Sequence, residues 1–143
     1  MSYALYGGKH MFGVRGPTNS SEGNTIVKTI LVVEDDYMIG SLLVETITQE
    51  TPHHALLATN SSQALQMVHE CKPSLFLFDY RLPHINGLEL YDLLHTTKEL
   101  EEVPVLLISA SFPFEEASKR NIMLIQKPFE LDDLLRNIER LIA

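Results

Sequence analysis

The chain has 143 residues, with 11 Lys and Arg against 19 Asp and Glu, giving a formal net charge of −8. That length suits one domain with a substantial core, and the acidic balance argues against a nucleic-acid-binding face, which needs a clustered positive field. The single cysteine, Cys71, rules out an intrachain disulfide and reads as a small apolar helix residue, and no apolar run approaches the roughly 18 residues of a membrane helix.

Residues 1–25 hold five of the seven glycines, Pro17 and a Thr-Asn-Ser-Ser-Glu-Gly-Asn run. They read as a flexible N-terminal extension, natural or added, without the apolar core of a secretory signal. A cytoplasmic location is the expectation. From Ile26 to Ala143 short apolar runs alternate with helical periodicity, and this segment is taken as the domain.

The first strand is expected at "TILVV" (29–33), followed by a helix with Ile39, Leu42, Leu43 and Ile47 on one face. A second strand, "HALLA" (54–58), leads to a helix carrying Ala64, Leu65, Val68 and Cys71, capped by Asn60 or Ser61 with Gln63 placed for a capping box. The third strand, "SLFLF" (74–78), runs into Asp79, and a helix bearing Leu88, Tyr91 and Leu94 begins after Gly87. Residues 99–102 read as a solvated helix end. "VPVLLI" (103–108) and "IMLI" (122–125) complete five strands. The last helix shows Leu131, Leu134, Leu135, Ile138, Leu141 and Ile142 at a period of 3.6, with acids in its first turn and Arg136 and Arg140 later, as the helix dipole favours. Arg136 and Arg140 are expected in a solvent-facing stripe.

Strand alternating with helix implies a doubly wound α/β domain, its five-stranded parallel sheet covered on both faces. The flavodoxin-like order 2-1-3-4-5 is the common arrangement, and it makes the first and third strands neighbours at the edge where ligands bind. Glu34, Asp35 and Asp36 follow the first strand, Asp79 the third, Ser109-Ala110-Ser111 the fourth and Lys127-Pro128 the fifth. Any one of these residues is an ordinary strand terminator. Together they gather carboxylates, a hydroxyl and an ammonium on one rim. Two carboxylates about 4 Å apart repel by roughly 4 kcal/mol at an effective dielectric of about 20, so a proton or a cation must join them. Oxygen donors without Cys or clustered His favour Mg²⁺. A carboxylate beside such an ion can take up a phosphoryl group, with Lys127 and the Ser109 hydroxyl on its oxygens.

"TILVVEDD", "LFLFDYRLPHINGLEL", "VPVLLISAS" and "IQKPFELDDLL" resemble the response-regulator receiver domain of two-component signalling, over residues 27 to 143. The resemblance implies that Asp79 is the phosphoacceptor and Asp35 a direct Mg²⁺ ligand. It implies that Glu34 holds a metal-bound water and that the Arg81 main-chain carbonyl is a further ligand. Ser109 and the Ala110 backbone N–H would bind the phosphate, Lys127 would pair with it, and the Lys127-Pro128 bond would be cis. Pro83 and Gly87 would shape the loop, Gly87 by permitting the turn into the third helix. Arg81 and Ser111 hold positions that influence phosphate lifetime in the family. The implied partners are a histidine kinase or phosphotransfer protein upstream and an unnamed protein downstream. A homodimer is left open, and no nucleic acid or membrane is expected. The module is regulatory rather than an enzyme, although it catalyses its own phosphorylation and dephosphorylation.

Two features depart from the family pattern. Ser109 to Lys127 spans 18 positions and contains Pro113, so a short, irregular or absent fourth helix is expected. Leu124 stands where the family usually has the Tyr or Phe of an aromatic switch; Phe112 and Phe114 are expected to anchor core or loop instead. These departures motivate an alternative, a pseudo-receiver that binds partners without phosphorylation. A phosphohydrolase would want an acid two residues after Asp79, where Arg81 stands, and a flavin protein would want a phosphate-cradling loop after the first strand. His53 and His54 are adjacent on an extended segment and cannot chelate together, and His84 is expected to be an exposed loop residue. The chain ends at Ala143, one residue beyond the last helical stripe, so the expectation is a stand-alone receiver or a piece of a longer protein.

Overall fold

A computed structural model describes residues 26–111, 114–120 and 122–143. The expected N-terminal extension over 1–25, Phe112 and Pro113 lie outside the described residues. In chain order the elements are β1 (Thr29–Val33), α1 (Tyr37–Glu50), β2 (His54–Ala58), α2 (Ser61–Cys71), β3 (Leu75–Asp79), α3 (Gly87–Leu94), β4 (Val105–Ser109), α4 (Phe114–Ser118), β5 (Met123–Gln126) and α5 (Leu131–Ile142). All strand pairs are parallel and the order is β2-β1-β3-β4-β5.

Side chains alternate across a strand, and the sheet divides its core accordingly. Leu31, Val33, Phe76, Phe78, Val105 and Leu107 pack with Ala64 and Val68 of α2, Leu88, Leu90 and Leu94 of α3 and Ala117 of α4. Ile30, Val32, Leu75, Leu77, Leu106 and Ile108 pack on the other face with Leu43 and Ile47 of α1 and Leu134, Ile138 and Ile142 of α5. The sheet is therefore covered on both sides, and β3 and β4 are buried along their whole length.

Several local expectations change. Leu42, assigned to the buried stripe of α1, is 43% exposed; Gly40 is buried instead, because a Cβ there would stand 2.6 Å from Leu57 Cδ1. Asn60 caps α2 by accepting from the Gln63 N–H, but the Gln63 side chain returns to the N–H and hydroxyl of Thr59 rather than to the cap residue. A full capping box is found on α3, between Asn86 and Glu89. Residues 98–100 form a 3₁₀ turn; Glu99, Glu101 and Glu102 are exposed, as expected of a solvated helix end, while Leu100 is buried and anchors the segment. The fourth helix is short as expected, with five residues. Phe114, expected as an anchor for core or loop, is 61% exposed. His53 lies outside β2; its Nδ1 accepts the Lys28 N–H, which fastens the approach to β2 against that to β1.

Candidate functional site

Register decides what meets at the carboxyl ends of the strands. Phe78 is level with Val33, Asp79 with Ile108, and Ser109 with Gln126. Glu34 and Asp79 are thus level, Lys127 lies two residues further along its strand, and the strand alternation directs all three toward the α1/α5 face. Ser109 has the opposite parity and lies at the same rim.

Oxygens of Glu34, Asp35 and Asp79 all lie within 4.8 Å of one another. Glu34 is 4% exposed and Asp79 8%, whereas Asp35 faces solvent. The Lys127 Nζ donates to Asp79 Oδ1 at 3.3 Å. Glu34 Oε2 accepts the Asp36 N–H at 3.0 Å, which bends this longer side chain back over its own loop. The next acid is committed elsewhere: Asp36 Oδ1 accepts from the N–H groups of Met38 and Ile39, capping α1. The Ser109 hydroxyl, on a side chain that is almost wholly buried, donates to the Ser111 carbonyl. Ala110 is exposed directly after β4, and Arg81, also exposed, stands two residues after the end of β3.

The electrostatics are those of a strained acidic pocket. Burial pushes the Glu34 carboxyl up from 4.5 to about 7, against the Asp36 N–H, and the Asp79 charge adds to the rise. Burial also raises Asp79; the Lys127 ammonium and a main-chain hydrogen bond from Arg81 oppose it, and the Asp35 charge reinforces it. One ammonium does not balance three carboxylates. A small divalent cation with hard oxygen preference fits this donor set: several carboxylate oxygens at coordinating separations, two of the groups desolvated, and one open, solvent-facing side at Asp35.

The model of the response regulator receiver domain family matches residues 30–139, which include every one of these groups. The chain belongs to that family. Among curated relatives of this receiver, a probable transcriptional regulator, ycf29, of Pyropia yezoensis is 27% identical over 118 residues, covering 80% of this chain and 53% of that protein. The polar-differentiation response regulator DivK of Brucella anthropi is 30% identical over 83 residues, covering 58% of this chain and 67% of that protein. The receiver thus spans about half the length of the first relative and about two thirds of the second. The non-phosphorylated HemR receiver domain from Leptospira biflexa superposes with a TM-score of 0.73 at 28% identity, over 81% of this chain and 94% of that one. The chemotaxis response regulator CheY4 of Vibrio cholerae gives a TM-score of 0.73 over 81% and 99% at 18% identity, a likeness of fold alone.

Within this receiver the structure corrects the reading of Gly87. It is the first residue of α3 and needs no left-handed backbone; a Cβ would meet Leu107 Cδ1 at 2.7 Å, the Asp79 carbonyl at 3.0 Å and Tyr80 Cα at 3.2 Å. Glycine is required there by close approach. The positive φ in this loop belongs to His84, at 73°, in a tight turn closed by the Ile85 N–H on the Pro83 carbonyl. The Gly87 N–H donates to the Tyr80 carbonyl at 2.8 Å, tying the two ends of the loop behind Asp79. The peptide bond between Lys127 and Pro128 is cis, as the resemblance implied. No helix among the described residues is long and apolar enough to cross a membrane.

Proposed function

We propose that the chain is a signalling receiver that accepts a phosphoryl group on Asp79 from the phosphohistidine of a histidine kinase or phosphotransfer protein, and that it responds by changing its affinity for a downstream protein. The observation that carries this reading is the buried Asp79 carboxylate, held 3.3 Å from the Lys127 ammonium and clustered with the oxygens of Glu34 and Asp35. A carboxylate Oδ of Asp79 forms the new O–P bond as the P–N bond to the donor imidazole breaks, and the electron pair returns to that nitrogen. Lys127 balances charge on the transferred group. The Ser109 hydroxyl and the Ala110 N–H supply neutral donors from the end of β4. Asp35 and Asp79, with the Arg81 carbonyl and a water on Glu34, would hold Mg²⁺, which when bound neutralises charge on the phosphoryl oxygens. The module's role is regulatory, and a cytoplasmic location accords with a kinase donor. An acidic chain of net charge −8 is poorly suited to bind nucleic acid directly.

A second reading, partner binding without phosphorylation, draws on the five-residue α4 and on Leu124. Intact-mass analysis after incubation with acetyl phosphate and Mg²⁺ separates the two. One phosphoryl adduct, lost in Asp79→Asn and after chelation, is the result expected of the phosphoacceptor. If no adduct forms and beryllofluoride with Mg²⁺ also fails to bind, the phosphoacceptor reading is abandoned for the second.

A further inference from the structure

At the end of the sheet opposite Asp79, a histidine ring stands in for a main-chain partner. Lys28, the residue before β1, has its carbonyl paired by the His54 N–H at 2.9 Å, while its own N–H donates to His53 Nδ1 at 3.1 Å. The ring thus adds one bond to the β1–β2 ladder beyond its main-chain pairs. The end of α1 fixes its position: the Thr51 hydroxyl donates to the Ile47 carbonyl at 2.7 Å and accepts the His53 N–H at 3.1 Å. Lys28 also reaches the end of α5, where Nζ donates to the Ile142 carbonyl at 2.7 Å. The end of α1, the entries of β1 and β2 and the end of α5 are therefore joined through Lys28 and His53. Just before this junction Ile26 is 70% exposed and Val27 50%.

A backbone N–H can only donate, so the nitrogen that faces it carries a lone pair and no proton. That requires a neutral ring with its one proton on Nε2. We infer that His53 is an acid-sensitive clasp, closed while Nδ1 is unprotonated and opened when a proton there turns the acceptor into a second donor against the Lys28 N–H. Opening also sets a positive ring beside the Lys28 ammonium. The charged groups facing the ring are Lys28 at the entry of β1, Glu139 of α5 and His54 of β2. Burial and the Lys28 charge hold the ring below its ordinary 6.5; the Glu139 carboxylate opposes them and His54 adds to them. A histidine held low in this way stabilises the fold fully above 6.5, and the contribution is lost as pH falls through the folded value. The sign is the reverse of a buried carboxyl's. The clasp needs no phosphoryl group, and its opening loosens the point at which the residues before Ile26 join the domain.

The test uses the full chain, with the His53 ring nitrogens and the protection of the Lys28 amide against hydrogen exchange both followed by NMR from pH 7.5 to 4.5. Protection is taken relative to the intrinsic exchange rate at each pH. In wild type the ring is expected to be unprotonated on Nδ1 at pH 7.5. Lys28 protection is expected to fall by about fivefold on acidification, the scale of one lost main-chain hydrogen bond, with the same midpoint as the ring and no change in β3. His53→Asn places an oxygen near the position of Nδ1 that accepts at every pH, so it is expected to keep the protection and lose the pH dependence. His53→Ala is expected to lose the protection throughout. A proton on Nδ1 at pH 7.5, a ring that stays neutral to pH 4.5, or a ring that titrates while Lys28 protection holds would each overturn the clasp. So would an undiminished pH dependence in His53→Asn, which assigns the effect to another group, or full protection in His53→Ala. The wild-type midpoints decide the matter even where a variant fails to fold.

Discussion

Lys127 meets Asp79 across an intervening strand: Nζ lies 3.3 Å from Oδ1, although β4 separates β3 from β5 in the sheet and 48 positions separate the residues in the chain. The pair exists because both residues leave the same rim toward the same face, Lys127 two residues beyond the level of Asp79. It supplies the ammonium that opposes the rise of the Asp79 pKa caused by burial.

Replacing Lys127 therefore acts on the chemistry more than on the fold. Lys127→Ala is expected to slow formation of the acetyl-phosphate adduct by about 100-fold, the scale for removing one charged stabiliser of a transition state. Circular dichroism is expected to be unchanged. A rate within threefold of wild type would remove Lys127 from the proposed machinery.

Glu34 gives the metal-free protein a defined pH dependence. Its folded carboxyl titrates near 7 against an ordinary value of 4.5, so between those values the native state holds a proton that the unfolded chain has released. The stabilisation contributed by this group is thus fully present below about 4.5 and is lost as pH rises through 7, and Asp79, also raised, acts in the same direction. The Glu34 contribution is roughly 2–3 kcal/mol. Urea unfolding in a chelator at pH 5 and pH 7.5 is expected to show that loss, and Glu34→Gln is expected to remove most of it. An equal loss in the variant would assign the slope to other groups.

On the proposed reading Mg²⁺ is expected to reverse the penalty, because it would bind the folded cluster and not the unfolded chain. At 100 times its dissociation constant it adds about 2.7 kcal/mol. The rise in melting temperature at pH 7.5 is expected to vanish in Asp35→Asn. Calcium and magnesium melts run side by side would show whether cation size matters.

Gly87→Ala is expected to destabilise the domain by about 1–3 kcal/mol, since the new Cβ overlaps Leu107 and the backbone beside Asp79. Because the overlap crowds the Asp79 carbonyl, the adduct rate is expected to fall as well. Asn86→Ala is the matched control: it removes the α3 cap at a cost of about 1 kcal/mol and leaves the rate near wild type.

Much of this protein was legible in its sequence because the signals are local. β1 and β2 fall where "TILVV" and "HALLA" place them, the other three strands within two residues, since a doubly covered parallel sheet demands continuous apolar runs. The residues terminating those runs were likewise visible, and parallel topology carries strand ends to a common rim. Tertiary packing decided the rest. Leu42 and Gly40 exchange roles because the approach of α1 to Leu57 leaves no room for a side chain. Gly87 is required by a neighbour on β4, not by its own torsion angles, and the positive φ falls on His84. Asp36 has the same carboxylate as Asp35, yet its position at the start of α1 commits it to the helix cap. The bond from Arg120 to Asp92 joins residues 28 positions apart. Periodicity reports which way a side chain faces along its own element; which groups stand within 3 Å of each other depends on how the elements close against one another, and the three-dimensional packing sets that.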